Sequence, residues 1–285
     1  MTIQDALEKA KRQRQALQRG GLHLTEIPRP EPGGSRPIER EFPRVDYNLD
    51  ACEAARILVP ENTSLDVGSA LAAYRMLRTR VLHRMRANRW TTLAITSPGP
   101  GEGKSVTALN LALSIAREKN NNVFLIDLDM NNPSVCRYLG IEPPRGIVRF
   151  FTGEVEAEDV LFTIGIDRLV LAGGVETTAF SSELLASGRL ELLLDTIRRI
   201  AHQPLVLLDL PPVLSTDDFL VTAPRVDATL LVIAEGRTRR DGLQRTLDLL
   251  SGFTLAGVML NRSHERVTDY YSRHYAYYRQ SSASS

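Results

Sequence analysis

The sequence predicts an α/β fold in which a mostly parallel sheet carries helices on both faces. Short apolar runs of strand length alternate along the chain with segments whose apolar residues recur at helical spacing. This alternation is typical of strand–helix–strand units, which build parallel sheets covered on both sides. A glycine-rich loop between the first strand and the next helix indicates where such a fold would bind a ligand. The predicted strands are 92–97, 122–127, 168–171, 204–209, 228–233 and 255–260.

The predicted helices precede the first strand and fill the segments between strands. Asp66 can cap a helix whose apolar residues from Val67 to Met85 recur at helical spacing. Arg75 and Arg78 lie off that apolar stripe, three residues apart and therefore side by side. The other predicted helices are 104–116, 182–186, 188–201, 216–222 and 239–250, with shorter helical pieces between 134 and 165.

Length and composition favour one large α/β domain with extensions. The chain has 285 residues, 43% hydrophobic and 24% charged, which is ordinary for a soluble globular protein. A net charge of +1 gives no indication of nucleic-acid binding. Cys52 and Cys136 lack metal-site spacing, which fits a reducing cytosol. No apolar run approaches the ~20 residues that span a bilayer, and no signal-peptide core is found, so we expect a cytoplasmic protein.

Composition also divides the chain into three predicted regions. Residues 1–53 hold an amphipathic helix followed by a Pro/Gly-rich linker, residues 54–264 form the α/β domain, and residues 265–285 are a tyrosine-rich flexible tail. The N-terminal helix could dock on a partner or on anionic lipid, or it could fold back on its own domain. The sequence leaves both possibilities open.

The glycine-rich loop follows the first predicted strand. Its residues 97–105 are Ser-Pro-Gly-Pro-Gly-Glu-Gly-Lys-Ser, and a helix begins near Lys104. Glycines permit a tight loop whose N–H groups point at a phosphate, and the helix adds its positive dipole end. Lys104 can reach the terminal phosphates, and the Ser105 hydroxyl can ligate Mg²⁺. We therefore predict that a nucleoside triphosphate binds to Gly99, Gly101, Glu102, Gly103, Lys104, Ser105 and Val106.

The spacing within this loop disfavours two other classes of nucleotide-binding protein. A dinucleotide fingerprint G-x-G-x-x-G that starts at Gly99 would need glycine where Lys104 stands. The usual G-x-x-x-x-G-K-S pattern would place its first glycine at Pro98, so the loop is a variant. Partition and septum-placement ATPases carry a second lysine five residues before the main one, where this chain has Gly99.

Three aspartates, Asp127, Asp129 and Asp209, stand at the ends of apolar strands. An open parallel sheet binds its ligand outside the carboxyl ends of the strands, so we expect these carboxylates near the phosphates. Mg²⁺ prefers a few hard oxygen ligands, which the Ser105 hydroxyl and one or two carboxylates can supply. A carboxylate beside the γ-phosphate could also orient or deprotonate an attacking hydroxyl.

The C-terminal segment is unusually rich in tyrosine. Five of the eight tyrosines lie in the last sixteen residues, among Ser, Arg, His and Asp, a composition typical of a mobile tail. On an ATP-binding domain such hydroxyls are candidate phosphoryl acceptors, and phosphates crowded there would repel one another and could break subunit contacts. An aromatic patch for a partner is the alternative. The candidate acceptors are Tyr270, Tyr271, Tyr275, Tyr277 and Tyr278.

Together these motifs resemble the bacterial tyrosine kinases (BY-kinases) of capsule and exopolysaccharide synthesis, P-loop enzymes unrelated to eukaryotic kinases. The likeness covers about residues 55–280 and rests on the variant loop, the segments 125–129 and 207–212, and the tyrosine cluster. It implies a three-layer MinD-like fold and MgATP-dependent autophosphorylation of the tail, in trans within a ring of subunits. The implied roles are phosphate binding by Lys104, Mg²⁺ ligation by Ser105, metal support by Asp129 and Asp209, and Asp127 as base or hydroxyl-orienting group.

The resemblance also implies partners. A cytoplasmic segment of a transmembrane polysaccharide chain-length regulator would activate the kinase, and we expect that regulator to be a separate protein. We further expect a homo-oligomer, a tyrosine phosphatase that reverses the modification, and a place at the inner face of the cell membrane through the regulator.

Two positions depart from the family's pattern. Its subunit-contact helix carries Glu-x-x-Arg-x-x-Arg, whereas this chain has Ala72 in place of the glutamate and keeps Arg75 and Arg78. Asn131 stands where the family usually has arginine, and a lost guanidinium could weaken phosphate or subunit contacts. A non-kinase P-loop ATPase switch, or a degenerate kinase acting as an ATP-gated scaffold, is therefore the alternative function. A pure interaction module is a third class.

Overall fold

A parallel sheet organises the part of the chain described by the structure, a computed structural model covering residues 40–61, 67–118 and 121–263. Within these residues the sheet has six strands in the order β3-β2-β4-β1-β5-β6, and every pairing is parallel. The predicted α/β class is confirmed. The strands are β1 (Thr92–Thr96), β2 (Asn122–Asp127), β3 (Leu169–Ala172), β4 (Pro204–Asp209), β5 (Ala228–Ala234) and β6 (Leu255–Asn261).

The strand order brings the carboxyl ends of distant strands together. β1 lies between β4 and β5, and β4 lies between β1 and β2. The register sets Asp209 of β4 beside Ile95 of β1 on one side and beside Asp127 of β2 on the other. The segments that follow β1, β2 and β4 therefore meet at one edge of the sheet, where open parallel sheets bind their ligands.

Helices cover both faces of the sheet, and the strands alternate between two hydrophobic layers. The α-helices of the described residues are α1 (Leu49–Ala54), α2 (Val67–Asn88), α3 (Lys104–Ala116), α4 (Val135–Leu139), α5 (Ile147–Phe151), α6 (Ser181–Ala186), α7 (Arg189–Ile200), α8 (Asp218–Thr222) and α9 (Arg240–Leu249). In β1, Leu93 and Ile95 pack on the side of α1 to α4, whereas Ala94 packs on the side of α5 to α9, as the period of two requires.

The packed domain begins earlier in the chain than the predicted boundary at residue 54. The backbone of residue 163 bonds to that of Pro43 and Val45, and Asn48 N–H donates to Leu139 O at 2.9 Å. Asn48 also caps α1, and Cys52 of that helix is fully buried in the core. Composition alone indicates linker here, because the few apolar anchors are separated by charged residues.

Several predicted features lie outside the described residues. These are the N-terminal amphipathic helix, the Pro/Gly-rich stretch that follows it, and the five tail tyrosines. Among the residues that are described, no helix combines the length and the apolar character needed to cross a membrane.

Candidate nucleotide and metal site

The glycine-rich loop connects the end of β1 to α3, and two of its glycines have backbone conformations that other residues rarely adopt. Gly101 has a φ of 73° and Gly103 a φ of 97°. A Cβ atom added to Gly103 would lie 2.0 Å from Asn261 Nδ2, and one added to Gly101 would lie 2.4 Å from an Arg237 nitrogen. Both positions therefore need glycine for conformation and for space.

We expect Gly103→Ala to weaken MgADP binding at least tenfold, because the added Cβ would displace Asn261 and shift the N-terminus of α3. The matched control is Gly188→Ala, since Gly188 has a φ of 81° but only open space where its Cβ would lie. That variant should lose about 1 kcal/mol of stability from backbone strain and keep its nucleotide affinity. Isothermal titration calorimetry with thermal unfolding measures both; wild-type affinity in Gly103→Ala would refute the assigned loop.

The loop is held by side chains that sequence reasoning did not identify. Thr238 Oγ1 donates to Glu102 Oε1 at 2.7 Å, and the other carboxylate oxygen accepts from Gly99 N–H at 3.1 Å. Asn261 Nδ2 donates to Glu102 O at 2.9 Å, and Arg262 Nη2 to Gly101 O at 3.0 Å. The only signal in the sequence was that these residues follow predicted strands. The Glu102 side chain thus braces the loop, which leaves its backbone for a nucleotide.

Lys104 joins the loop to the strand-end carboxylates. Its Nζ lies 2.8 Å from Asp129 Oδ2, 3.3 Å from Asp209 Oδ1 and 3.0 Å from Ser105 Oγ. The residues are almost completely buried; Lys104, the most exposed of the four, is 8% exposed. The structure therefore brings four predicted site residues together in one cluster, as expected for the carboxyl edge of the sheet. Val106 follows in the first turn of α3, where its side chain packs against the core.

Asp127 is bonded mainly to backbone. Its Oδ2 accepts N–H bonds from Ser134 at 2.8 Å and Val135 at 2.9 Å, and its Oδ1 accepts one from Asp129 at 3.1 Å. These bonds shape the loop after β2 and cap the start of α4. Oδ1 takes a single N–H bond and keeps one acceptor site, but Asp127 is 1% exposed and is not among the residues that line the cavity.

The electrostatics of the cluster favour an added cation. Burial lowers the pKa of Lys104, but the charges of Asp209, Asp129 and Asp127 outweigh this effect and raise the pKa, so the side chain is a cation. Burial and then the charge of Asp209 raise the pKa of Asp127 to about 7, against the opposing effects of Lys104 and the backbone N–H groups. Burial also raises the pKa of Asp209, although Lys104 lowers it. One lysine does not compensate three buried carboxylates.

The residues present fit Mg²⁺ and a nucleotide. Asp209 Oδ2 is buried and has no hydrogen-bond partner among the described residues, which leaves a hard oxygen beside Ser105 and Asp129. Mg²⁺ takes one or two carboxylates and completes its shell with phosphate oxygens and water, so Ser105, Asp129 and Asp209 are of the right kind and number to hold it.

A cavity of about 230 Å³ opens at this edge of the sheet. Its walls come from the glycine-rich loop, from the segment after β2 and from the segment after β4, so all three predicted motifs contribute. The lining residues are Pro100, Gly101, Gly103, Lys104, Ser105, Asp129, Asn131, Asn132, Ser134, Tyr138, Pro211, Pro212, Ser215 and Thr216.

The two predicted oligomer-contact arginines differ in their surroundings. Arg78 lies 3.0 Å from Glu118 Oε1 and donates to Ser114 O at 3.0 Å, so it ties α2 to the end of α3 within one chain. Arg75 and Ala72 are exposed on α2. Arg75 therefore remains available for a subunit contact, and Arg78 already has an intramolecular role.

Comparison with known proteins agrees with this geometry. The family model of the CobQ/CobB/MinD/ParA nucleotide binding domain matches residues 93–279. EpsB of Ralstonia nicotianae is 31% identical over 229 residues, covering 78% of this chain, which spans only 29% of the length of EpsB. Tyrosine-protein kinase CpsD of Streptococcus agalactiae is 26% identical over 200 residues, 69% of this chain and 85% of CpsD.

A solved structure of a bacterial tyrosine kinase domain is also similar to this chain. The kinase domain of the Escherichia coli tyrosine kinase ETK is 26% identical and superposes with a TM-score of 0.64, covering 70% of this chain and 77% of that domain. The resemblance to bacterial tyrosine kinases that the motifs predict is confirmed by these similarities.

Proposed function

Because the chain belongs to the CobQ/CobB/MinD/ParA nucleotide-binding family, and similar proteins are named tyrosine kinases, we propose that it is a MgATP-dependent protein-tyrosine autokinase. Its acceptors would be the tail tyrosines Tyr270, Tyr271, Tyr275, Tyr277 and Tyr278. One observation carries the proposal: Lys104, Ser105, Asp129 and Asp209 converge beside the glycine-rich loop, with a buried oxygen of Asp209 left unpaired.

The proposed reaction moves the γ-phosphoryl group of ATP to a phenolic oxygen. The bond between γ-phosphorus and the β–γ bridging oxygen breaks, a bond from phosphorus to the tyrosine oxygen forms, and the phenolic proton leaves. Lys104 and the N–H groups of the first turn of α3 would bind the phosphates. Ser105, Asp129 and Asp209 would hold Mg²⁺, which neutralises charge on the phosphates when bound. Asp127, with its raised pKa of about 7 and one open acceptor site on Oδ1, remains the candidate base.

The position of β6 supports the tail as acceptor. Asn261, the last residue of β6, bonds to the loop at Glu102, and Ser263 follows two residues later. Tyr270 lies seven residues beyond Ser263, and an extended chain of that length spans roughly 24 Å. A tail that starts beside the phosphate-binding loop could reach the cavity of its own or of a neighbouring subunit.

The wider role rests on the family resemblance. We propose that the kinase regulates polymerisation and export of an exopolysaccharide or capsule, and that a transmembrane chain-length regulator activates it and holds it at the inner face of the membrane. Arg75, exposed on α2, is the proposed homo-oligomer contact, and Arg78 would contribute by supporting that helix. A tyrosine phosphatase would reset the tail.

The test is to incubate the protein with MgATP, with and without a membrane regulator, and to map phosphotyrosine by mass spectrometry. We expect phosphate on the tail tyrosines. Mixing the wild type with isotope-labelled Lys104→Met protein tests transfer in trans, because phosphate on the labelled tail must come from another subunit. A protein that binds ATP and labels no tyrosine under either condition would contradict the proposal.

The alternative is a non-kinase ATPase switch or a degenerate kinase that acts as an ATP-gated scaffold. Ala72 and Asn131, the two departures from the kinase pattern, favour it. ATP turnover without tyrosine labelling would support this alternative. Absence of nucleotide binding would instead support a pure interaction module.

A further inference from the structure

A chain of hydrogen bonds leads from a buried aspartate to the wall of the nucleotide cavity. Asn131 Nδ2 donates to Ser181 Oγ at 2.7 Å, and Ser181 Oγ donates to Asp218 Oδ1 at 3.0 Å. Ser181 and Asp218 are 3% and 0% exposed, whereas Asn131 is exposed and lines the cavity. We call Asp218, Ser181 and Asn131 the Asn131 relay.

The side chain of Asp218 is fully buried but only partly hydrogen-bonded. Its Oδ1 accepts from Ser181 and also from Ser182 at 2.5 Å, but its buried Oδ2 has no hydrogen-bond partner among the described residues. A buried carboxylate that is only partly paired lowers stability, and such a group calls for a physical explanation. A further role beyond packing is therefore indicated.

The role of Asp218 is to fix which atoms of Ser181 and Asn131 donate hydrogen bonds and which accept them. A carboxylate only accepts hydrogen bonds, so the Ser181 hydroxyl must point its proton at Asp218 and offer a lone pair to Asn131. The amide NH₂ of Asn131 then faces Ser181, and the amide oxygen Oδ1 is turned away from it. The relay thus fixes the orientation of the Asn131 amide at the cavity wall: one N–H is donated to Ser181, and Oδ1 and the second N–H stay available as acceptor and donor.

Asn131 lines the same cavity as Lys104 and Asp129. Asn131 follows Asp129 by two residues, and Asp129 is 2.8 Å from Lys104, the residue suited to the β- and γ-phosphates. Phosphate oxygens are themselves acceptors and would be repelled by Asn131 Oδ1. A hydroxyl, which donates, would be bound.

We propose that Asn131 accepts a hydrogen bond from the hydroxyl of the incoming tyrosine, and that Ser181 and Asp218 are positioning residues that act through Asn131. This inference rests on the proposed kinase function and adds the contact that orients the acceptor. It also gives Asn131 a role that the family's arginine would not fill, since a guanidinium only donates and would select phosphate.

The experiment measures transfer from MgATP to a synthetic peptide with the sequence of residues 268–279. Asn131→Ala and Ser181→Ala should each raise the KM for the peptide about five- to tenfold, the effect of one lost hydrogen bond, and leave MgADP affinity within about twofold. The Ser181→Thr variant, which keeps the hydroxyl, should restore the wild-type KM. Because Ser181 acts through Asn131, the double variant should have the KM of Asn131→Ala alone.

Each other result would overturn the proposal. An unchanged peptide KM in Asn131→Ala would show that Asn131 does not contact the tyrosine hydroxyl. Additive effects in the double variant would show that Ser181 does not act through Asn131. A parallel loss of MgADP affinity would assign Asn131 to the nucleotide or to a metal-bound water. If wild type and variants hydrolyse ATP and label no tyrosine, the proposed function fails and this inference fails with it; labelling by the wild type with an unaffected Asn131→Ala variant overturns this inference alone.

Discussion

Replacement of Lys104 by methionine is expected to reduce tyrosine phosphorylation at least 10²- to 10³-fold, the range found when a charge-stabilising group is removed from an active site. Lys104 Nζ contacts both Asp129 and Asp209, and its side chain is only 10% exposed. Methionine has a similar length and no charge, so it fills the space without pairing with the carboxylates. Mass spectrometry of the tail after incubation with MgATP measures the loss.

The same variant should be less stable when Mg²⁺ is absent. Removal of one partner from a buried ion pair costs about 3–5 kcal/mol, because the remaining charges stay buried without compensation. Added Mg²⁺ should recover part of this loss by binding the carboxylates. Arg245→Met is the control, since Arg245 forms an exposed pair with Asp241 and its loss should change neither stability nor transfer measurably. Wild-type phosphorylation by Lys104→Met would refute the assigned site.

The sequence was sufficient to predict the centre of this site because its motifs depend on local chain properties. An apolar strand, a glycine-rich loop and a helix are contiguous, and the loop chemistry follows from Gly101, Gly103 and Lys104 alone. The convergence of Asp129 and Asp209 on Lys104 required one further rule, that parallel strands end at the same edge. That rule predicts the shared edge, and the strand order β2-β4-β1 then brings both aspartates within reach of Lys104.

The residues that brace the site could not be predicted in the same way. Thr238 and Asn261 reach Glu102 from positions 136 and 159 residues away, and neither belongs to a recognisable motif. The Asn131 relay depends on Ser181, a residue with no sequence signal, lying beside α8. Such contacts follow from how helices and loops pack, a property that periodicity does not encode.

The contacts of residues 40–53 with the α/β domain escape prediction for a related reason. Six of the fourteen residues 40–53 are charged, and the apolar ones follow neither a strand nor a helix period, so the segment looks like linker. In the structure Cys52 is fully buried and Phe42, Val45 and Tyr47 are half-buried against the core, and the backbone of the segment bonds to residue 163 and to Leu139. Apolar residues that are spaced without a period give no signal in a sequence, even where the fold buries one of them completely, as it does Cys52.

Asp209→Asn is expected to change activity and stability in opposite directions. Burial raises the pKa of Asp209 above its ordinary value despite the pairing with Lys104, so its surroundings disfavour the carboxylate form. A group whose pKa is raised on folding stabilises the fold at low pH. That contribution is lost as the pH rises through the pKa of the group in the folded protein. Without Mg²⁺, the asparagine variant should therefore be more stable than wild type at pH 8, by about 1 kcal/mol, and the difference should shrink toward pH 4.

Tyrosine phosphorylation should nevertheless fall at least about 100-fold in Asp209→Asn, because the unpaired Oδ2 that fits Mg²⁺ is replaced by a weaker or non-ligating atom. Thermal unfolding at pH 4 to 8, with and without Mg²⁺, separates the two effects: Mg²⁺ should raise the midpoint of the wild type much more than that of the variant. Asp195→Asn, which changes an exposed carboxylate paired with Arg198, should behave as wild type in both measurements. If Asp209→Asn were less stable than wild type at pH 8 and kept its magnesium response, Asp209 would be a structural partner of Lys104, and the metal would have to be held by Ser105 and Asp129 without it.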